Sequence, residues 1–337
     1  MKILRTDKEL ECPGIESALR GQGHDLVSLP GDITEADLAR ASLGAGLILT
    51  CYTPITRKVI ETATSLKGIV KYGVGIDAID VEAAIEQGVP VVNIPHYAEE
   101  TVAEGAFALL IALARRLMPL HAKMQADGWD WPHAPRQGSD IAGKTIGLVG
   151  VGRIGQAMAR MMGCGFRARI LGYDPHQSTD ALHGIGVERR DDLHHMLAEC
   201  DFVSVHSTLT PQTRKMIGAH EFACMKPGAL FINVSRGAIV DEAALVRALE
   251  SGHLGGAALD VFSEEPLQRH GHPLSPLFDM ENVILSPHLT FYTSEAMARL
   301  EAETLERCDE IINGRPVKIR STNPRLRAQN TGVIFEA

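Results

Sequence analysis

At 337 residues, 45% hydrophobic and 22% charged, with a mean hydropathy of −0.00, the chain is neither a single small module nor a disordered polypeptide, and its length suits two domains. A formal net charge of −9 and a pI near 5.9 give no overall basic field, which argues against nucleic acid and anionic membrane as partners. Six dispersed cysteines without a CxxC pair argue against a disulfide or zinc framework, the N-terminus lacks a secretory apolar core, and the longest apolar run, residues 105–114, is about half a membrane span. A cytoplasmic, reduced protein is expected.

From residue 1 to about 95, the β-rich runs KILR, HDLVSLP, GLILTCY, GIVKYGVG and VPVVNIP alternate with helical stretches such as EADLAR and VEAAIEQG, the pattern of parallel βα units. Residues 99–126 then read as one long apolar helix, or two broken at Pro119, suited to bridging domains or packing on another subunit. After the polar loop GWDWPHAPRQGSD a second series begins: KTIGLVG, ARILGYD, DFVSVHS, ALFINVS, GAALDVF and NVILSPH. Residues 293–313 form a last amphipathic helix, followed by a polar tail, 314–337, of unassigned role. The fold class is α/β with two doubly wound domains.

Gly150-Val151-Gly152-Arg153-Ile154-Gly155 follows the strand KTIGLVG and opens a helix. In a dinucleotide fingerprint the first glycine makes the tight turn, the second admits the pyrophosphate to the backbone, and the third lets helix and strand pack closely. The helix N-terminus adds N–H donors for the phosphates. Asp174 ends the next strand about 20 residues on, where a carboxylate binds the ribose hydroxyls. Such a carboxylate repels a 2′-phosphate, so NAD is expected rather than NADP.

Arg236 in NVSRGAIVDE, Glu265 in ALDVFSEEP and His288 in VILSPH stand at the C-terminal ends of predicted strands, where open α/β sheets bind ligands. Singly, each has a plain alternative: a surface ion pair, a loop acid before Pro266, or a capping or core histidine. Together they match a known family, named below, and the residue types suit the hydride chemistry at a hydroxyl carbon that the resemblance implies. Histidine titrates near neutrality and moves the hydroxyl proton, an ionised glutamate beside it stabilises the imidazolium, and arginine holds a planar carboxylate bidentately.

With the motifs KYGVGID, TVAEGAFALLIALAR, GKTIGLVGVGRIG, NVSRGAIVDE, ALDVFSEEP and SPH, the chain resembles the D-isomer-specific 2-hydroxyacid dehydrogenases from about residue 45 to 313. The resemblance implies a Rossmann NAD-binding domain, 100–287, inserted into a flavodoxin-like substrate domain, 1–99 plus 288–337, with the active site in the cleft. It implies catalysis by Arg236, Glu265 and His288. Cofactor contacts are implied at Gly150, Gly152, Arg153, Ile154, Gly155, Asp174, Thr208, Thr213, Val234, Arg236 and Asp260, the last at the nicotinamide end. Substrate contacts are implied at Tyr52, Val74, Gly75, Arg236 and His288. The pattern departs from the family in His206-Ser207-Thr208-Leu209-Thr210, which lacks a proline, in Gly105 where a histidine is usual, and in Ala78 where an asparagine is usual.

The expected partner is a small 2-hydroxy or 2-oxo acid, glyoxylate or hydroxypyruvate before 3-phosphoglycerate, since only Lys71 lies near the CYTPIT turn. The short tail leaves no room for the regulatory domain of some phosphoglycerate dehydrogenases. A formate-dehydrogenase-like enzyme is disfavoured by Glu265, where that group has an amide, and an NAD(H)-sensing corepressor is the alternative of another class. Family members pair as homodimers through the segment matched by residues 99–124. No metal is expected, and His194-His195, His270 and His272 are read as surface residues.

Overall fold

The computed structural model describes residues 1–336. The chain divides into two compact units, Met1–Ala98 with Thr293–Ala337, and Glu99–Tyr292.

The first unit is built on five parallel strands, β1 (Lys2–Arg5), β2 (Asp25–Ser28), β3 (Ala45–Thr50), β4 (Ile69–Lys71) and β5 (Val91–Asn93), in the order β2-β1-β3-β4-β5. This is the flavodoxin-like winding. All six residues of β3 are buried, as a central parallel strand covered on both faces requires. The helix Ser294–Ile312 returns to this unit: the Thr293 hydroxyl caps it by accepting from Ala296 N at 3.2 Å, Glu301 accepts from Gly14 N at 3.0 Å, and Arg299 donates to Tyr97 O at 2.7 Å.

The C-terminal tail, unassigned from sequence, is built into the same unit. Val317–Ile319 and Val333–Phe335 pair in parallel around the short helix Pro324–Arg327. Buried Gln329 then binds both backbone groups of Val91 at the sheet edge, donating to its O at 2.9 Å and accepting from its N at 2.7 Å. An edge strand is thereby closed by a side-chain amide acting as a peptide.

The second unit carries seven parallel strands, β6 (Thr145–Val149), β7 (Arg169–Tyr173), β8 (Val187–Arg189), β9 (Phe202–Val205), β10 (Ala229–Asn233), β11 (Leu254–Leu259) and β12 (Val283–Leu285). Their order, β12-β11-β10-β9-β6-β7-β8, is the dinucleotide-binding winding with one added strand, and the order reverses between β6 and β9. Helices Glu99–Ala114 and Arg153–Arg160 cover one face, and Leu193–Glu199, Ala219–Cys224 and Glu242–Glu250 the other, each over its own apolar cluster.

Three expectations change. The long apolar segment breaks at Arg116, whose φ is 52°, between Glu99–Ala114 and Leu117–Asp127. Pro119 is not the breaker because it sits in the first turn of the second helix, where its missing N–H has no intrahelical partner to lose. Strand β8 was hidden by its polar sequence, VER, with only Val187 buried. The second unit extends to Tyr292 rather than 287, because residues after β12 are bonded back to β11, so His288 belongs with the seven-stranded sheet. Among the described residues no helix is long and apolar enough to cross a membrane.

Removing the Gln329 side chain leaves the Val91 N–H and C=O unpaired in a buried place. Gln329→Ala should lower unfolding free energy by about 1–3 kcal/mol, read as a reduced urea midpoint by circular dichroism. An unchanged midpoint would detach the tail from the stability of the sheet.

Candidate active site

The glycine-rich turn joins β6 to the helix Arg153–Arg160. Gly150 has φ 90°, and a Cβ there would lie 2.7 Å from Ser207 N. A Cβ on Gly155 would lie 2.4 Å from Gly150 O, so the helix presses directly on the turn. Gly152, the residue preceding the helix, faces open space where its Cβ would stand, which leaves room for a phosphate to approach the backbone. These glycines fit a dinucleotide pyrophosphate. Ile154 packs on the core beneath, while Arg153 projects outward, 3.3 Å from Glu99.

Asp174 follows β7. Its carboxylate accepts from Val151 N at 2.9 Å and from His176 N at 2.9 Å, tying the glycine turn to the neighbouring strand end. Val234 is buried after β10. Thr208 and Thr213 close the turn after β9, the Thr213 hydroxyl donating to Thr208 O at 2.7 Å.

His206 stands at the head of that turn with Nε2 2.9 Å from the Ser204 hydroxyl, and its Nδ1 is buried without a partner. Burial pushes its pKa down to about 4, so it stays neutral and adds no positive charge beside the glycine-rich turn.

After β11 and β12, two loops bring Glu265 and His288 together. His288 Nδ1 lies 2.7 Å from Glu265 Oε2, and Glu265 Oε1 accepts from Phe262 N at 2.9 Å. Burial pushes the Glu265 carboxyl up, but His288, the Phe262 N–H and the positive charge of Arg236 outweigh it and hold it below its usual range. Glu265 is therefore ionised at neutral pH. Arg236 follows β10, and its loop is fixed by Asn233, whose side chain donates to Arg236 O at 3.0 Å and accepts from Ser235 N at 3.0 Å. Next to it, a Cβ on Gly237 would lie 2.0 Å from the Phe262 carbonyl carbon. The arginine loop and the Glu265 loop thus touch backbone to backbone.

His288 has φ 57°, a left-handed conformation that costs a non-glycine residue about 1 kcal/mol or more. Asp260 holds it there. With no exposed surface, its carboxylate accepts from Leu289 N at 2.9 Å, Thr290 N at 3.0 Å and the Thr290 hydroxyl at 2.6 Å. Asp260, expected at the nicotinamide end, thus uses its carboxylate oxygens to anchor the turn that carries His288. Gly105, one of the departures noted above, makes room for the same turn, since a Cβ on it would lie 2.7 Å from Thr290 Cβ.

In the first unit, Tyr52 is exposed on the turn after β3, and Val74 and Gly75 follow β4. Asp7, missed in the sequence, organises the first of these turns: its buried carboxylate accepts from Cys51 N at 2.8 Å, Tyr52 N at 3.1 Å, Thr53 N at 3.0 Å and the Thr53 hydroxyl at 2.8 Å. Its only sequence signal was an acid just beyond a strand end. Asn93 donates to Val74 O at 2.6 Å and steadies the second turn. Lys71 is buried, donates to Cys51 O, and lies 5.4 Å from the centre of the Tyr52 ring.

The profile of the D-isomer specific 2-hydroxyacid dehydrogenase NAD binding domain matches residues 107–290. This chain belongs to that family. It is 37% identical over 288 residues to a D-3-phosphoglycerate dehydrogenase of Methanocaldococcus jannaschii, covering 86% of this chain but 53% of the relative. A glyoxylate reductase of Thermococcus litoralis is 41% identical over 259 residues, with 74% of this chain and 76% of the relative covered. The chain thus spans about half the length of the first relative and three quarters of the second. Among solved structures, a D-lactate dehydrogenase of Aquifex aeolicus, complexed with NAD and lactic acid, superposes with a TM-score of 0.82 at 28% identity over 93% of this chain and 97% of that one.

The neutral native form of His206 sets a pH dependence. As pH falls below about 6.5 the unfolded chain takes up this proton first, so stability should decline from there toward pH 4. Thermal midpoints measured across that window should fall less steeply in His206→Asn than in the parent chain. Equal slopes would show that His206 is not the group responsible.

Proposed function

We propose that the chain is an NAD-dependent dehydrogenase moving a hydride between nicotinamide and C2 of a small D-2-hydroxy acid or its 2-oxo acid. The observation that carries this reading is the His288–Glu265 contact of 2.7 Å, at the C-terminal ends of strands whose dinucleotide turn lies in the same unit, with the charge of Arg236 acting on the same glutamate. NAD, when bound, supplies the hydride acceptor or donor. His288 takes the hydroxyl proton during oxidation and returns it during reduction, while Glu265 fixes the ring and stabilises its charged form. Arg236 holds the substrate carboxylate and polarises the 2-oxo group. Asp260 acts as a positioning residue that keeps His288 in its left-handed turn.

Gly150, Gly152, Arg153, Ile154 and Gly155 take the pyrophosphate in this reading, Asp174 the ribose hydroxyls, and Thr208, Thr213 and Val234 the walls around them. Tyr52, Val74 and Gly75 are assigned to the substrate. The unit carrying the seven-stranded sheet is then the cofactor domain and the other the substrate domain. For substrate size, Lys71 supplies the argument: its ammonium is engaged by Cys51 O and the Tyr52 ring, so it is not offered to a phosphate. A small unphosphorylated acid, glyoxylate or hydroxypyruvate, is favoured over 3-phosphoglycerate.

A cytoplasmic homodimer completes the proposal. The helix Leu117–Asp127 buries none of its residues, and Leu117, Met118 and Met124 on it, with Trp129 and Trp131 beyond, are exposed apolar side chains of the kind a second copy covers.

NADH consumption should therefore be seen with glyoxylate or hydroxypyruvate, at a higher kcat/KM than in the matching phosphoglycerate assay. His288→Ala should lower kcat by about 10²–10⁴-fold with NADH affinity nearly unchanged. Tight NAD binding without turnover of any short 2-oxo acid would favour a sensor instead. A preference for the phosphorylated acid would overturn the substrate choice alone.

A further inference from the structure

On the face of the seven-stranded sheet covered by Leu193–Glu199 and Ala219–Cys224, three potential ligand residues meet outside the site described above. His194 comes from the first helix, and His220 and Cys224 come from one face of the second, at i and i+4. One ligand atom from each lies within 4.8 Å of the other two. His194 Nε2 stands 3.0 Å from His220 Nδ1 and 2.9 Å from Glu221 Oε1, and the latter two atoms are 3.7 Å apart. A tetrahedral ion with bonds of about 2.0–2.3 Å spaces its ligand atoms by about 3.3–3.6 Å, so the cluster needs only small side-chain adjustments to enclose one.

Proton counting favours a cation at that point. A neutral imidazole nitrogen carries at most one hydrogen, and His194 Nε2 cannot direct one hydrogen fully to both the Glu221 carboxylate and the His220 ring. Glu221 is oriented by its other oxygen, which accepts from Gly218 N at 2.9 Å. A divalent ion between these atoms would satisfy the lone pairs together.

We propose that His194, His220 and Cys224 form a binding site for a zinc-type divalent ion that clamps the two helices, with a water completing the tetrahedron. Two imidazoles and a thiolate match a borderline-soft tetrahedral ion, and do not match magnesium or calcium. The anchoring residues of the site are rigid: Met196 and Leu197 on one helix and Phe222 on the other are buried in the same apolar cluster. The clamp is structural: it joins two helices that pack on the same apolar cluster and includes none of the residues assigned to catalysis or to the cofactor.

The test uses the full chain, stripped with a chelator and titrated with Co²⁺, then with Zn²⁺. One equivalent of cobalt should give the visible bands of a tetrahedral site together with a near-ultraviolet thiolate-to-cobalt band, and zinc should displace it. Cys224→Ser should abolish the thiolate band, and His220→Ala should weaken binding by at least about tenfold. Cys164→Ser, at the exposed thiol, should leave the spectrum intact. Zinc should raise the thermal midpoint of the parent chain and not that of the two ligand variants, all with NADH turnover preserved. Uptake below one equivalent, a cobalt spectrum without the thiolate band, or a band that survives Cys224→Ser or is lost in Cys164→Ser would overturn the site.

Discussion

The carboxylate of Asp260 is the constraint around which the acid–base loops are arranged. A charged group with no exposed surface is costly unless its hydrogen bonds are complete, and here two backbone N–H groups and a hydroxyl supply them from one short turn. Those bonds secure the left-handed backbone of His288 and set the direction of its ring toward Glu265. Close packing adds to the electrostatic anchor. Glycine at 105 lets the long helix lie against Thr290, and glycine at 237 lets the arginine loop cross Phe262. Charge, strain and packing therefore converge on one turn, which is how a preorganised site is kept from relaxing.

Much of this was legible in the sequence because parallel strands buried on both faces read as unbroken apolar runs. Ala45–Thr50 and Thr145–Val149 are such runs, and the GxGxxG after the second announces its own backbone requirement. The strand Val187–Arg189 was not legible: it lies at the sheet edge, buries one residue and carries Glu188 and Arg189 into surface ion pairs. The tail was equally hidden, since its attachment depends on an amide, Gln329, which hydropathy ranks as surface. Pro119 misled in the opposite sense. A proline breaks a helix only where its N–H would have been used, and the break lies at the preceding arginine.

The site divides along the same line. Arg236, Glu265 and His288 were visible as residue types at strand ends, whereas the supports beneath them, the Asp260 bonds to the Leu289–Thr290 turn and the whole role of Asp7, depend on contacts across the chain that spacing does not encode. The histidines show this most clearly. His194 gives no ligand spacing with its sequence neighbours, and only His220 and Cys224 hinted at a shared helical face. Their meeting is a product of two adjacent crossovers packing side by side.

The bond from Val151 N to Asp174 has an engineering consequence. The Asp174 carboxylate closes the glycine-rich turn, so exchanging it for a neutral or cationic side chain would release a backbone donor at the point where the turn must stay closed. Under the proposed assignment of Asp174 to the ribose, nucleotide selectivity and the order of this turn would be linked through one oxygen atom, and a variant built for the phosphorylated cofactor would need a second substitution to restore that tether.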